Sequence, residues 1–330
     1  MWRTVWRRAG GSGLRRRWAD FMADERGSTI VLVTIGMVAF LGMVALVFDA
    51  GLIYVNRAQL AHGADAAVLA GGQDLPDSVN RATATATDYG AGNGLKPGEV
   101  AVTVSADQKT ISVDTHRRIN LFFARVLGHN SSDITARASA TYGPLSRVEG
   151  AAPLGIVYQE FIFGEEYILK EGAGGGEPDP DSAYHSGWFG ALSLGKAGAD
   201  QYRTNLIEGY KDALSVGDIV NTETGNMSGP TEEGVNVRIA RCKRVPQCTI
   251  DDFERGCPQI LIVPVIEPVD DGGNQVKQVK ILGFAAFFAE AVTGSGQDNF
   301  IQGRFVKTVV PGSIDFSAKD YGLTGVKLVE

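Results

Sequence analysis

The stretch STIVLVTIGMVAFLGMVALVF, Ser28 to Phe48, contains no charged residue and no Pro, Asn or Gln. As a helix it spans roughly 31 Å at about 1.5 Å per residue, the thickness of a bilayer's hydrocarbon core. Gly36 and Gly42 fit this reading, because glycine is frequent in membrane helices. A buried helix of a soluble protein rarely runs this far without a polar face. The stretch is therefore read as a transmembrane helix, and the compartment of everything after it follows from its orientation.

On the N-terminal side, residues 1–27 hold seven arginines against three acids, a net of +4 in a chain of net charge −7, which leaves −11 for the remainder. Beyond the span the first basic residues are Arg57 and Arg81. Positive residues stay on the cytoplasmic side of a span, so residues 1–27 form a basic cytoplasmic arm and the acidic body lies across the membrane. The apolar run is longer than the core of a cleaved signal, and the small-x-small site Ala64-Asp65-Ala66 lies too far downstream. An uncleaved, single-pass anchor is expected.

On the C-terminal side, DAGLIYVNRAQLAHGADAAVLAGGQDL keeps helical character with no proline before Pro76. The helix is expected to leave the membrane unbroken and to end near Ala70, with Gly71-Gly72 as its terminator. Gly63, Ala67 and Gly71 recur at i, i+4 and i+8 and let another backbone come close. That packing seam serves either the chain's own sheet or a contact between subunits.

The run from Glu25 to Gly72 resembles the N-terminal region of TadG-like proteins of the tight-adherence (Tad, Flp-type pilus) assembly system. The resemblance rests on Glu25, Arg26, Gly27, Asp49, Gly51, Tyr54, Arg57, Leu60, Ala64, Asp65 and Ala67, in order and spacing. His62-Gly63 departs from the usual Gln or Asn followed by Ala. The resemblance implies a non-catalytic, membrane-anchored and pseudopilin-like role, without a cofactor. Its implied partners are the lipid bilayer, other pilus, secretion or envelope proteins, and further copies of the chain. A prepilin-peptidase site needs Glu at the fifth position after glycine, where Leu32 and Trp18 follow Gly27 and Gly13.

Beyond the anchor the fold class is α+β: the long pilin-like helix packs on a small antiparallel sheet, and a β-rich α+β domain follows. The boundaries are 1–27 for the arm, 28–48 for the span, 49–150 for the pilin-like domain and 151–330 for the β-rich domain. SVNRATATATDYGAGNGL reads as a helix followed by a glycine-rich turn. EVAVTVSADQKTISVDTHRRI alternates on both sides of Ala106–Lys109, a hairpin signature. NLFFARVLG reads as a short helix with an apolar face, and ITARASATYGPL as a strand. Further on, ADQYRTNLIEGYKDAL has helical spacing, while APLGIVYQEFIF, VNVRIA, ILIVPVIEP, QVKILGFAAFF and FVKTVV read as strands. Pro264 marks its strand as an edge or bulged one.

Candidates for chemistry are few. Cys242, Cys248 and Cys257 suit one disulfide with a thiol left over outside the cytoplasm. Three free thiols, or a metal site completed by Asp251, Asp252 or Glu254, are the alternatives. Glu177, Asp179 and Asp181 sit in a Gly- and Pro-rich acidic loop and read as solvated. His62, His116, His129 and His185 match no nucleophile-elbow or zincin pattern. The acidic balance argues against nucleic acid as a partner. The leading reading is a structural or assembly component. A surface binding module for a polymer or ion, and a membrane-tethered hydrolase using His116, His129 or His185, stand behind it.

Overall fold

A single α-helix, α1, runs from Glu25 to Asp74, fifty residues without a break. No proline interrupts it, and two polar side chains within it bond back to the preceding turn. Thr34 Oγ1 donates to the Ile30 carbonyl at 2.7 Å and Asn56 Nδ2 to the Leu52 carbonyl at 2.9 Å. The computed structural model describes residues 25–170, 190–223, 225–269, 276–294 and 299–329. The basic arm before Glu25 and the acidic loop with Glu177, Asp179, Asp181 and His185 lie outside them.

After α1 come α2 (Val79–Gly92), β1 (Val100–Val104), β2 (Thr110–Asn120), a 3-10 turn (Ala124–Leu127) and β3 (Ser131–Val148). The C-terminal part contains β4 (Ile156–Val157), β5 (Glu166–Ile168), β6 (Leu192–Ser193), α3 (Ala199–Glu208), β7 (Leu214–Ser215), β8 (Ile219–Thr222) and α4 (Ser228–Ala240). It closes with β9 (Ile260–Pro268), β10 (Gln278–Thr293), β11 (Phe300–Val306), β12 (Thr308–Val309), β13 (Ser313–Ile314) and β14 (Leu323–Val329). This is the α+β class expected, with one long apolar helix ahead of mixed sheets.

The chain forms two compact units. One holds the residues up to His62 with Thr115–Ala136, and the other holds Gly63–Asp114 with Arg137 onward. In the first unit the apolar half of α1 is bare: Ile30, Leu32, Phe40, Leu46 and Val47 are all more than half exposed, and none of its most apolar eighteen-residue window is buried.

In the second unit the last turns of α1 bury Ala64, Ala67 and Val68 against Ile111 and Val113 of β2, Ala138 and Ala140 of β3, and Ala82 and Ala86 of α2. The glycines make this approach possible. A Cβ on Gly63 would lie 2.6 Å from Leu95, and one on Gly71 would lie 2.7 Å from the Ala82 carbonyl oxygen. The seam of Gly63, Ala67 and Gly71 is thus occupied from within the chain. The same packing corrects the expected helix end: Gly71-Gly72 does not stop α1, because both glycines are there for contact. A Cβ on Gly72 would meet Val326 at 2.8 Å. The helix ends four residues after Ala70, at Asp74, two positions before Pro76. Ser78 then caps α2, accepting the Arg81 N–H at 3.3 Å.

The first sheet has the order β1-β2-β3-β14-β12. Its β14 pairs antiparallel with β3, from Thr324 opposite Pro144 to Val329 opposite Ser139. Strands from both sides of the sequence boundary at 150/151 therefore share one sheet.

The second sheet runs β4-β9-β10-β11-β5, with β8 against β10. The continuous apolar runs of β9 and β10 reflect burial on both faces. Phe284, Ala286 and Phe288 enter one core with Leu145 and Val148, while the alternating Ala285 and Phe287 enter another with Tyr202, Leu206 and Val235. Pro264 sits in an inner strand, opposite Phe284. Its other neighbour, β4, is two residues long and pairs from Val265 onward, and β10 bulges between Ile281 and Gly283.

Three strand or helix expectations change. VNVRIA is the end of helix α4, not a strand. Its alternating valines imitate period two, but Gly234 lies so close to Leu206 that a Cβ would be 2.7 Å away, locking α4 on α3. Arg238 adds hydrogen bonds to the carbonyls of Pro258 at 2.7 Å and Leu206 at 3.0 Å. Helix α3 stops at Glu208, because Gly209 turns to φ 79°, and Leu214 belongs to β7. APLGIVYQEFIF contributes only β4.

The two kinds of helical glycine predict opposite signs. Gly71→Ala is expected to destabilise the chain by about 1–3 kcal/mol, the scale of overpacking against backbone. Gly51→Ala, with nothing within 4 Å of its Cβ, is expected to be neutral or to stabilise by up to about 1 kcal/mol through helix propensity. Chemical denaturation of the detergent-solubilised full chain measures both.

Candidate functional site

In the first unit, the residues around the membrane exit converge on Asp49. Its side chain is only 4 % exposed. One carboxylate oxygen accepts the Phe122 N–H at 2.9 Å, and the other accepts those of Phe123 at 2.9 Å and Ala124 at 2.6 Å. These are the open donors at the start of the 3-10 turn Ala124–Leu127, whose own N-cap, Phe123, has no side chain able to satisfy them. A carboxylate is the acceptor such a turn start favours. Phe48 adds edge contacts to both Phe122 and Phe123, each with ring centroids 5.7 Å apart. About two to three turns onward, Arg117 of β2 donates to Asn56 Oδ1 at 3.1 Å and Gln59 Oε1 at 2.7 Å. The exit of the apolar segment is thus pinned to the loop by one carboxylate and to β2 by one guanidinium.

Sequence reading assigned Asp49 to the end of the span but did not see its partners. The available signal was local: NLFFARVLG starts a helical turn with no Ser, Thr, Asp or Asn at the cap position, so the acceptor had to come from elsewhere. Of the other resemblance residues, Leu60, Ala64 and Ala67 are fully buried, Asp65 is half-buried, and Gly51, Tyr54 and Arg57 are exposed. Glu25, Arg26 and Gly27 lie in the first turn of α1, and their side chains are outside the described residues.

The second unit carries a charged cleft of about 720 Å³ where α1 ends. Asp74 is its centre. It receives Thr85 Oγ1 at 2.5 Å, Arg81 Nε at 3.2 Å and an Arg255 nitrogen at 2.6 Å. Burial opposes its charge, but the Thr85 hydroxyl and the two guanidiniums hold its carboxyl below the usual carboxylate range. Asp77 pairs with Arg81 at 2.5 Å and Arg244 with Asp252 at 2.6 Å. The pairs around Asp74 and Asp77 join the end of α1 to α2 and to the segment that carries Arg255.

Elsewhere in this unit the three thiols gather, each sulfur within 4.8 Å of the others, with Cys248 and Cys257 buried and all three in the free form. Burial pushes the Cys257 thiol up to about 12, and the Cys248 backbone N–H draws the Cys242 thiol down. Lys170 was not singled out from the sequence. It is fully buried, donates to Asn226 Oδ1 at 2.8 Å, and is lowered by burial to about 8. His116, named for the hydrolase alternative, faces Asp133 at 3.3 Å on the surface of the first unit.

The bare part of α1 is long and apolar enough to cross a membrane. Residues 27–74 match the family model described as "Putative Flp pilus-assembly TadE/G-like", so the helix α1 carries a Tad-type segment along nearly its whole length. No curated protein and no solved structure matches the chain.

Asp49→Asn is expected to release the loop, since an amide nitrogen would face N–H donors. Hydrogen exchange at Phe122, Phe123 and Ala124 should speed up by about ten- to a hundredfold, the scale of losing charge-assisted bonds. Asp74→Asn is expected to cost about 1–2 kcal/mol at neutral pH, because its arginine partners are partly solvent-screened. A carboxyl lowered on folding stabilises the fold fully above its unfolded value of about 3.9, and loses that contribution as pH falls through the folded value. Denaturation curves of parent and variant should therefore converge in acid.

Proposed function

We propose that the chain is a membrane-anchored structural component of a Tad (Flp-type) pilus or a related secretion machine. It acts by helix packing and protein contact, without bond chemistry. The observation that carries this reading is the exposed apolar half of α1, inside the segment that matches the Tad family model. No other part of the described chain offers a comparable apolar surface, and water would not tolerate it uncovered.

The arginine-rich arm keeps the N-terminus in the cytoplasm. Residues 49–330 then stand on the far side of the membrane, with the pilin-like part at 49–150 near the lipid and 151–330 offered to other envelope or pilus proteins. The small residues from Gly63 to Gly71 are used within the second unit, where they hold the chain's own helices and sheet together.

Carbonate extraction and protease treatment of spheroplasts, followed by detection of a C-terminal tag, test this. The expected result is a chain that stays with the membrane pellet and loses its tag to external protease. A chain released by carbonate as a folded soluble protein, or a tag protected in intact spheroplasts, would overturn the anchoring or the orientation respectively.

A further inference from the structure

The loop LFFARVLGH, 121–129, presents large apolar side chains to the outside: Phe122 is 63 % exposed, Val126 88 % and Leu127 71 %. A loop facing water gains nothing from such a tip. Yet the loop is firmly built. Asp49 holds its backbone through three N–H groups, Leu121 is buried, and the turn closes with the His129 N–H on the Ala124 carbonyl at 3.0 Å and Gly128 at φ 91°. The fold therefore fixes these apolar groups in an outward position.

Their height along α1 gives the reason. A groove of about 500 Å³ is lined by Ala45 and Leu46 on the helix and by Phe123, Val126 and Leu127 on the loop, and it reaches back to Gly42. From Asp49 to Gly42 is about 10 Å of helix at 1.5 Å per residue. The loop lies beside the last two turns of the apolar span, so its tip is level with the zone between headgroups and acyl chains, where interfacial segments bury their apolar face by about 5–10 Å.

We infer that residues 121–129 form a second membrane contact, an interfacial wedge that dips into the outer edge of the bilayer beside the protein's own anchor. The occupant of its apolar tip is phospholipid, because the loop surface is continuous with the exposed surface of the span through Phe48. Arg125, exposed between the apolar residues, extends its guanidinium to the phosphate layer, as long basic side chains do at interfaces. The wedge fixes the angle at which α1 leaves the membrane. This inference rests on the anchoring reading above.

The test uses the full chain in nanodiscs of phosphatidylcholine and phosphatidylglycerol, with a photoactivatable diazirine in the acyl chains. After illumination and trypsin, mass spectrometry reads the anchor peptide 27–57, the loop peptides 119–125 and 126–137, and the peptide 138–147. The expected result is lipid adducts on the anchor and on both loop peptides, none on 138–147, and loss of loop adducts but not of anchor adducts in Val126→Asp/Leu127→Asp. A labelled anchor with loop peptides no more labelled than 138–147 would overturn the wedge and leave the anchor standing. An unlabelled anchor would remove both. A double variant whose loop is labelled like the parent's would also overturn it, and the parent labelling decides alone should the variant not fold.

Discussion

Everything in this molecule hangs on one helix passing from a medium without water into a medium full of it. In lipid each backbone N–H and C=O must find its partner within the segment, and only a helix or a closed barrel achieves that. A helix that satisfies itself in lipid can continue into water at no loss of hydrogen bonds. The same rod then needs only a change of side chains. Before Phe48 these are uncharged on all sides, whereas from Gly63 the packed face is mostly glycine and alanine so that α2 and the sheet can close on it.

The change of medium concentrates structural demands at Asp49. Here the helix needs a polar group to mark the exit, and the loop 121–129 needs an acceptor for its turn. One buried carboxylate meets both requirements, and so couples the position of the loop to the position of the helix. Arg117, reaching Asn56 and Gln59, extends this coupling by about two to three further turns. Membrane insertion and the folding of the first unit thus share the same few side chains.

Much of this was legible because its signals are local. Twenty-one uncharged residues announce α1, strict alternation announces β1 and β2, and unbroken apolar runs announce β9 and β10. The readings that failed depend on distant partners. VNVRIA looks extended until Leu206 is brought against Gly234, and Gly71-Gly72 looks like a stop until the neighbours they must admit are in place. For the candidate site the residue type and position of Asp49 could be read, but its role could not, since the groups it binds are 73 to 75 positions away. The gathering of three thiols, and the burial of Lys170 beside Asn226, are likewise products of tertiary contact.

The pairing of β14 with β3 carries a consequence for folding. The first sheet recruits its fourth strand from far along the sequence, Leu323 to Val329. Until that distant strand is available, β3 keeps one rim unclosed. Such long-range closure is slow compared with local hairpins, and an open strand rim invites pairing with other chains. Closure of the first sheet therefore depends on a segment far along the sequence, and a chain lacking residues 323–329 keeps an adhesive edge.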